Sequence, residues 1–201
     1  MLRVGIPDYR LPPEVLDREI DHILRLGIEV QTGRRLGTDF TIDDLRSQGF
    51  KAIFLGLGAH RSLKLNLAGE GMGVIDAVAF LREVNLGGRA KPGLKVVVVG
   101  GGNVAIDAAR TALRLGCDNV SILYSRSREE MPAYTDEIEE ALAEGVEIRY
   151  LTAPARILAA GGSVSGLECV RTELGPPDES GRRRPAPVEG SKFVIECDTV
   201  I

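Results

Sequence analysis

Residues 94–115 read LKVVVVGGGNVAIDAARTALRL. The β-branched run Val96–Val99 is typical of a strand that is buried on both faces. The alanine-rich stretch Asn103–Leu115 predicts a helix whose small apolar side packs on a sheet. Three charged side chains of this helix are expected to point away from the sheet: Asp107, Arg110 and Arg114. The stretch therefore predicts a strand, a glycine turn and a helix in direct succession.

The turn between the two elements has the pattern G-x-G-x-x-A. Gly100 permits a tight turn, Gly102 lets the backbone approach a pyrophosphate, and the small Ala105 lets the helix pack closely on the strand. The free N–H groups at the start of the helix then face the phosphates. The predicted cofactor-binding residues of this turn are Gly100, Gly101, Gly102, Asn103, Val104 and Ala105. The alternative, a turn without a ligand, requires a blocked helix N-terminus, and nothing in the sequence indicates one.

The end of the second predicted strand indicates which dinucleotide is bound. About 20 residues after the glycines, NAD-specific sites place an acidic residue on the ribose. Here Ser125, Arg126, Ser127 and Arg128 follow Tyr124 instead. Arginine forms charge-assisted bonds with phosphate, so we predict that Ser125, Arg126 and Arg128 bind the 2′-phosphate of NADPH. The alternative is that both arginines pair with nearby acids, namely Glu129, Glu130 and Asp136.

Strands and helices alternate around this motif, which favours a three-layer α/β domain of the Rossmann type with a parallel sheet. The predicted elements are strand Leu94–Val99, helix Asn103–Leu115, strand Val120–Tyr124, helix Tyr134–Ala143 and strand Val146–Leu151. An antiparallel β-meander is then predicted from Arg156–Ala160, Val164–Thr172 and Lys192–Cys197. The basic run Arg182–Arg184 is expected in a solvated loop. Asp198–Ile201 resembles a strand cut short, which suggests a fragment.

The residues before the glycine motif predict several smaller elements. A helix is expected from Pro12 to the stop at Gly27, and a second helix over Ile42–Gln48, where Thr41 and Asp44 form a capping box. An apolar helix is expected over Val74–Val84. Short strands are expected at Ile28–Gln31 and Lys51–Leu57. We therefore divide the chain into residues 1–73 and a nucleotide-binding domain, residues 74–201.

Composition narrows the functional class. The net charge of −4 gives no reason to expect a nucleic-acid partner, and the sequence has neither an 18-residue apolar run nor a secretion signal, so a cytoplasmic location is expected. Cys117, Cys169 and Cys197 form no CxxC pair, so they are expected to be buried, reduced thiols rather than metal ligands. His22 and His60 are read as structural. No catalytic side chain is predicted, because hydride transfer between cofactors needs positioning more than acid–base groups.

Four segments resemble the small (beta) subunit family of NADPH-dependent glutamate synthase, within the pyridine nucleotide-disulfide oxidoreductase-like superfamily. The four segments are Gly5–Pro12 (GIPDYRLP), Ala59–Leu65 (AHRSLKL), Gly100–Arg110 and Ser125–Pro132. The same motifs resemble the amino-terminal half of dihydropyrimidine dehydrogenase, ferredoxin:NADP oxidoreductases and NADPH-dependent iron reductase subunits. The motifs thus identify the superfamily and not the member.

The resemblance implies an FAD domain interrupted by an NADPH domain. Residues 1–73 then correspond to part of the FAD domain, so this chain would hold FAD only incompletely. Electrons would pass from NADPH to FAD and through iron–sulfur clusters to a partner, such as the glutamate synthase large subunit. Two positions depart from the family: Gly56-Leu57-Gly58 replaces Ala-Thr-Gly, and Ser125 replaces arginine. A non-catalytic NADPH-binding module or truncated domain is the alternative.

Overall fold

The computed structural model describes residues 1–58, 65, 67–69, 73–179 and 181–201. Its first sheet is parallel and consists of β1 (Lys95–Val99), β2 (Asn119–Leu123), β3 (Glu147–Arg149) and β8 (Thr199–Val200). The strand order is β3-β2-β1-β8, so β1 is a central strand. Val97 pairs with Ser121 on one side and with Val200 on the other. The predicted parallel sheet is confirmed, and the strand expected within Asp198–Ile201 is its last member.

Three helices cover one face of this sheet: α4 (Ala77–Asn85), α5 (Asn103–Arg114) and α6 (Thr135–Ala143). Val96 and Val98 face the helices and share a core with Phe80 of α4, Ile106 of α5 and Ile138 of α6. Asp76 caps α4, because its carboxylate accepts a hydrogen bond of 2.8 Å from the N–H of Ala79. The alanines of α5 leave room for close packing on the strand, as the sequence predicted.

A second sheet covers the opposite face, where Val97 packs against Leu167 and Ile195 in a separate core. This sheet consists of β4 (Thr152–Ala160), β5 (Ser163–Pro177), β6 (Arg183–Pro187) and β7 (Phe193–Ile195). All of its strand pairs are antiparallel. The predicted meander is therefore confirmed, and the fold has the three layers that the sequence predicted. β1 is buried on both sides because a helix layer and a second sheet enclose it.

The basic run Arg182–Arg184 differs from its prediction. Residues 183 and 184 belong to β6, whose backbone pairs with β5, so the expected loop was wrong here. The side chains still point into solvent, because β6 is a strand with exposed residues at nearly every position. Charged side chains are tolerated at a sheet edge where one side of the strand is open.

The amino-terminal part contains α1 (Leu2–Gly5), α2 (Pro13–Leu24) and α3 (Ile42–Ser47). The predicted capping box of α3 is confirmed, since Asp44 N–H donates to Thr41 Oγ1 at 3.1 Å and Thr41 N–H donates to Asp44 Oδ2 at 2.8 Å. Helix α2 ends shortly before Gly27, as predicted. The φ of 85° at Gly27 is typical of a glycine that ends a helix.

Two predicted strands do not form. Within the described residues, neither Ile28–Gln31 nor Lys51–Leu57 pairs with another strand. Most of their apolar side chains are exposed, and Phe54 is 94% exposed. An apolar run adopts a strand only where a neighbour supplies hydrogen-bond partners, and these runs have none here. The division of the chain at residue 73 stays a prediction.

Candidate functional site

The structure requires glycine at Gly100 and Gly101 and leaves open space beside Gly102. Gly100 has a φ of 147°, a conformation that side chains with a Cβ rarely adopt. A Cβ on Gly101 would collide with the ring of Tyr124, whereas a Cβ on Gly102 would meet nothing within 4 Å. The turn is thus closed toward the protein at Gly101 and open toward solvent at Gly102. A ligand can approach the backbone on the open side.

Helix α5 begins at this open side without a cap. Gly102 is the N-cap residue and provides no side-chain hydrogen bond. Its carbonyl accepts from the N–H groups of Ala105 (2.9 Å) and Ile106 (3.3 Å). Among the described residues, nothing accepts a hydrogen bond from the N–H groups of Gly102, Asn103 and Val104. Unpaired N–H groups and the positive end of a 12-residue helix together favour an anion at this point.

The loop after β2 braces the turn from one side. The N–H of Ala133 donates to the carbonyl of Gly101 at 3.1 Å, and the N–H of Tyr134 donates to Asn103 Oδ1 at 3.0 Å. Tyr124 lies beneath the turn and donates from its hydroxyl to the carbonyl of Glu130 at 2.6 Å. The side-chain oxygen of Asn103 therefore fixes the loop, while its backbone N–H stays available. No local sequence pattern indicates that these residues pair.

The two predicted arginines of this loop differ in their surroundings. Arg126 is partly buried, and within the described part of the chain its guanidinium has no hydrogen-bond or ion-pair partner. Arg128 is exposed and lies 3.4 Å from Glu139. Ser125 is held through its carbonyl, which accepts from Thr172 Oγ1 at 2.7 Å. The unpaired Arg126 is thus the stronger candidate for an incoming phosphate.

Two acids near these arginines, Glu129 and Glu130, form hydrogen bonds with Ser127. Glu130 and Ser127 form a capping box around a 3₁₀ turn, Arg128–Glu130, and the Ser127 hydroxyl also donates to Glu129. This hydrogen bond lowers the pKa of Glu129. Neither arginine pairs with the acids that the alternative reading named, so the geometry leaves the guanidinium of Arg126 free for a ligand.

The segment around Tyr9 and Arg10 packs on the outer side of α5. Arg10 Nη1 lies 2.9 Å from both carboxylate oxygens of Asp107, and Arg10 Nε lies 2.9 Å from Glu137. Asp107 is only 4% exposed. Burial raises the pKa of Asp107 even though Arg10 acts in the opposite direction. The sequence placed Asp107 correctly on the side away from the sheet but did not predict that another segment covers it.

Arg110 completes this buried network of charges. It is 3% exposed and forms ion pairs with three acids of the α6 region, Glu137 (2.9 Å), Glu140 (2.8 Å) and Glu144 (2.7 Å). The ring of Tyr9 lies beneath it, 4.6 Å from its guanidinium carbon. Burial raises the pKa of Tyr9 to about 12. The network ties α5, α6 and the amino-terminal segment together and so holds the helix whose N-terminus forms the turn.

The remaining candidate groups are the cysteines, the histidines and any set of metal ligands. Burial raises the pKa of Cys169 to about 11 and that of Cys197 to about 12, and all three cysteines are buried and free. His22 is exposed on α2, and His60 and nearly all of Ala59–Leu65 lie outside the described residues. The described residues contain no group of His, Cys, Asp and Glu placed to hold a metal ion. No helix among them is long and apolar enough to span a membrane.

Residues 13–200 match the profile of the pyridine nucleotide-disulphide oxidoreductase family. The whole chain aligns with three curated relatives. It is 46% identical over 205 residues to the NADP(+)-dependent formate dehydrogenase subunit beta of Moorella thermoacetica and 48% identical over 206 residues to the NADPH-Fe(3+) oxidoreductase subunit beta of Geobacter sulfurreducens. It is 39% identical over 214 residues to the glutamate synthase [NADPH] small chain of Escherichia coli. The resemblance predicted from the sequence motifs is confirmed.

The chain spans only part of these relatives, namely 29%, 30% and 45% of their respective lengths. Among solved structures, Mycobacterium tuberculosis FprA in complex with NADPH superposes with a TM-score of 0.81 at 19% identity. That match covers 99% of this chain and 60% of FprA. At this level of identity, the superposition establishes a shared fold.

Proposed function

Because the chain belongs to the pyridine nucleotide-disulphide oxidoreductase family, we propose that it is the NADPH-binding part of a larger flavoprotein oxidoreductase. One observation carries the proposal: an uncapped helix N-terminus and an unpaired, partly buried arginine lie at the ends of adjacent parallel strands. The turn follows β1 and Arg126 follows β2, and these strands pair along their whole length. An anion-binding end and a phosphate-binding side chain therefore lie on the same edge of the sheet.

In the proposed complex, the pyrophosphate of NADPH lies against the free N–H groups of Gly102, Asn103 and Val104. The open space beside Gly102 gives the phosphates access to this backbone. The guanidinium of Arg126 binds the 2′-phosphate, with Ser125 and Arg128 beside it. Gly100, Gly101 and Ala105 contribute by shaping the turn rather than by contacting the ligand.

Bound NADPH supplies a hydride for an FAD acceptor. The part assigned to this chain is positioning: the turn and Arg126 fix the adenosine and phosphate groups, which leaves the nicotinamide to extend beyond them. The network around Arg10 and Arg110 supports this task by fixing α5. No described side chain is assigned an acid–base role.

The described residues offer no second turn of the strand–glycine–helix type, so we assign them no FAD pyrophosphate contact. The curated relatives are more than twice as long as the matched region. We therefore propose that FAD is held mainly by segments outside these 201 residues. A cytoplasmic location and the division at residue 73 belong to the same proposal.

Electrons would leave the flavin through iron–sulfur clusters to a redox partner. The names of the three relatives describe subunits or small chains, which favours a partner subunit here. The sequence motifs placed glutamate synthase first. The higher identity to the iron reductase subunit and the formate dehydrogenase subunit gives partners of those types at least equal support.

Calorimetric titration of the chain with NADPH and NADH tests the nucleotide assignment. We expect tighter binding of NADPH and a selective loss of NADPH affinity in Arg126→Ala. A lost charge-assisted hydrogen bond costs about 1.5 to 3 kcal/mol, or roughly 10- to 150-fold in affinity. Arg183→Ala is the matched control, because Arg183 is exposed on β6. If the unaltered chain binds neither nucleotide, the proposal is wrong.

A further inference from the structure

Tyr134 places an exposed aromatic ring beside the glycine turn. Its side chain is 67% exposed, although the residues just before it, Met131 and Ala133, are each only 7% exposed. The chain thus passes from buried to exposed positions at Tyr134, immediately before α6. A single exposed aromatic side chain is common on protein surfaces, so its position must carry the argument.

Two hydrogen bonds fix that position. The backbone N–H of Tyr134 donates to the side chain of Asn103, the first residue of α5, at 3.0 Å. The preceding N–H, from Ala133, donates to the carbonyl of Gly101 at 3.1 Å. Two successive backbone groups are therefore bound to the turn, and the tyrosine lies next to the uncapped N-terminus of α5.

The side of the turn on which Tyr134 lies indicates which part of a dinucleotide it would meet. The segment that carries it leaves β2, passes through Arg126 and the 3₁₀ turn Arg128–Glu130, and then reaches the glycine turn. In Rossmann-type domains, the end of the second strand is the site of the adenosine ribose. Because Tyr134 belongs to the loop that begins at the end of β2 and is hydrogen-bonded to the glycine turn, we place it on the adenosine side.

We propose that Tyr134 is a further binding residue whose ring stacks on the adenine of NADPH. The inference rests on the proposed function and extends it to the base. Nucleic acid bases stack on exposed aromatic side chains without sequence preference. The turn and Arg126 are the proposed phosphate sites, so an exposed aromatic ring on the loop that joins them suits the flat, uncharged base of the adenosine half.

The proposal separates the role of Tyr134 from that of Arg126. Adenine is common to NADPH, NADH and adenosine 2′,5′-bisphosphate, so Tyr134→Ala is expected to weaken all three equally, by about 5- to 150-fold. Arg126→Ala is expected to weaken only the two ligands that carry a 2′-phosphate. Tyr134→Phe keeps the ring and is expected to bind like the unaltered chain. Phe54→Ala is the matched control, since Phe54 is an exposed aromatic residue of the unpaired segment Lys51–Leu57.

A second measurement reports contact directly. The chain contains no tryptophan, so Tyr134→Trp introduces a single indole at the proposed stacking position. We expect adenosine 2′,5′-bisphosphate to quench its fluorescence in a saturable way, and we expect no such change in Phe54→Trp. Because both positions are exposed, neither replacement requires the core to repack.

The outcomes distinguish the two proposals. If the unaltered chain binds NADPH and Tyr134→Ala binds it equally well, the stacking inference is overturned and the proposed function stands. If Tyr134→Ala weakens NADPH but not NADH, the tyrosine contacts the 2′-phosphate and the adenine assignment is wrong. If no ligand binds the unaltered chain, the proposed function fails and the inference fails with it.

Discussion

Replacement of Arg10 by alanine tests whether the buried charges hold the amino-terminal segment on α5. The carboxylate of Asp107 has 6% side-chain exposure and lies 2.9 Å from Arg10 Nη1. Without Arg10, this carboxylate stays buried and loses its nearest partner. Removal of one partner of a buried ion pair costs about 3 to 5 kcal/mol. Arg110 also acts on Asp107 and is expected to offset part of the loss, so we expect about 3 kcal/mol for Arg10→Ala.

Urea unfolding followed by circular dichroism measures this loss. For a urea dependence of about 2 to 3 kcal/mol per molar, the midpoint should fall by about 1 to 1.5 M. Arg3→Ala is the control, because Arg3 pairs with Asp17 on the surface, with side-chain exposures of 49% and 55%. Exposed pairs of this kind contribute about 0 to 1 kcal/mol. The control should therefore leave the midpoint nearly unchanged.

The charge of Asp107 offers a further check. The double variant Arg10→Ala/Asp107→Asn removes the unpaired charge and should recover part of the stability. Burial already raises the pKa of Asp107, and loss of Arg10 raises it further. The penalty in Arg10→Ala is then present where the carboxyl is ionised and fades as the pH falls through its raised pKa. A change below about 0.5 kcal/mol in Arg10→Ala, the level of an ordinary surface substitution, would refute the reasoning.

Three further predictions follow from the site and its support. Gly101→Ala should weaken NADPH binding at least tenfold by calorimetry, since the new Cβ collides with Tyr124; unchanged affinity would contradict the packing argument. Glu144→Gln should destabilise the chain at neutral pH, and less so in acid. Arg110 lowers the pKa of Glu144, so its contribution is lost as the pH falls through that value; a pH-independent loss in urea unfolding would contradict this. The three cysteines should react with Ellman's reagent only after unfolding, because all are buried; rapid labelling of the native chain would contradict their placement.

The central fold could be predicted because its signals are local. The four successive valines of Val96–Val99 and the alanines of α5 specify a buried strand and a closely packed helix within 20 residues of one another. The glycines between them specify the turn. The same is true of the capping box at Thr41 and Asp44, where two side chains three residues apart decide where a helix begins.

The rest depends on contacts between distant parts of the chain. Arg10 and Asp107 are separated by 97 positions, so no local pattern of α5 indicates that its charged side becomes buried. Lys51–Leu57 has a strand-like sequence, but pairing depends on a neighbour that the described residues do not supply. Periodicity also cannot distinguish Arg126 from Arg128, because their difference lies in whether an acid of α6 is within reach.

Gly73 and Val200 lie side by side, since the N–H of Val200 donates to the carbonyl of Gly73 at 2.8 Å. With the predicted division at residue 73, the start and the end of the nucleotide-binding unit, residues 74–201, therefore lie at almost the same point. A unit with neighbouring ends can be inserted into a surface loop of another domain without stretching its host, because little loop-closure entropy is lost.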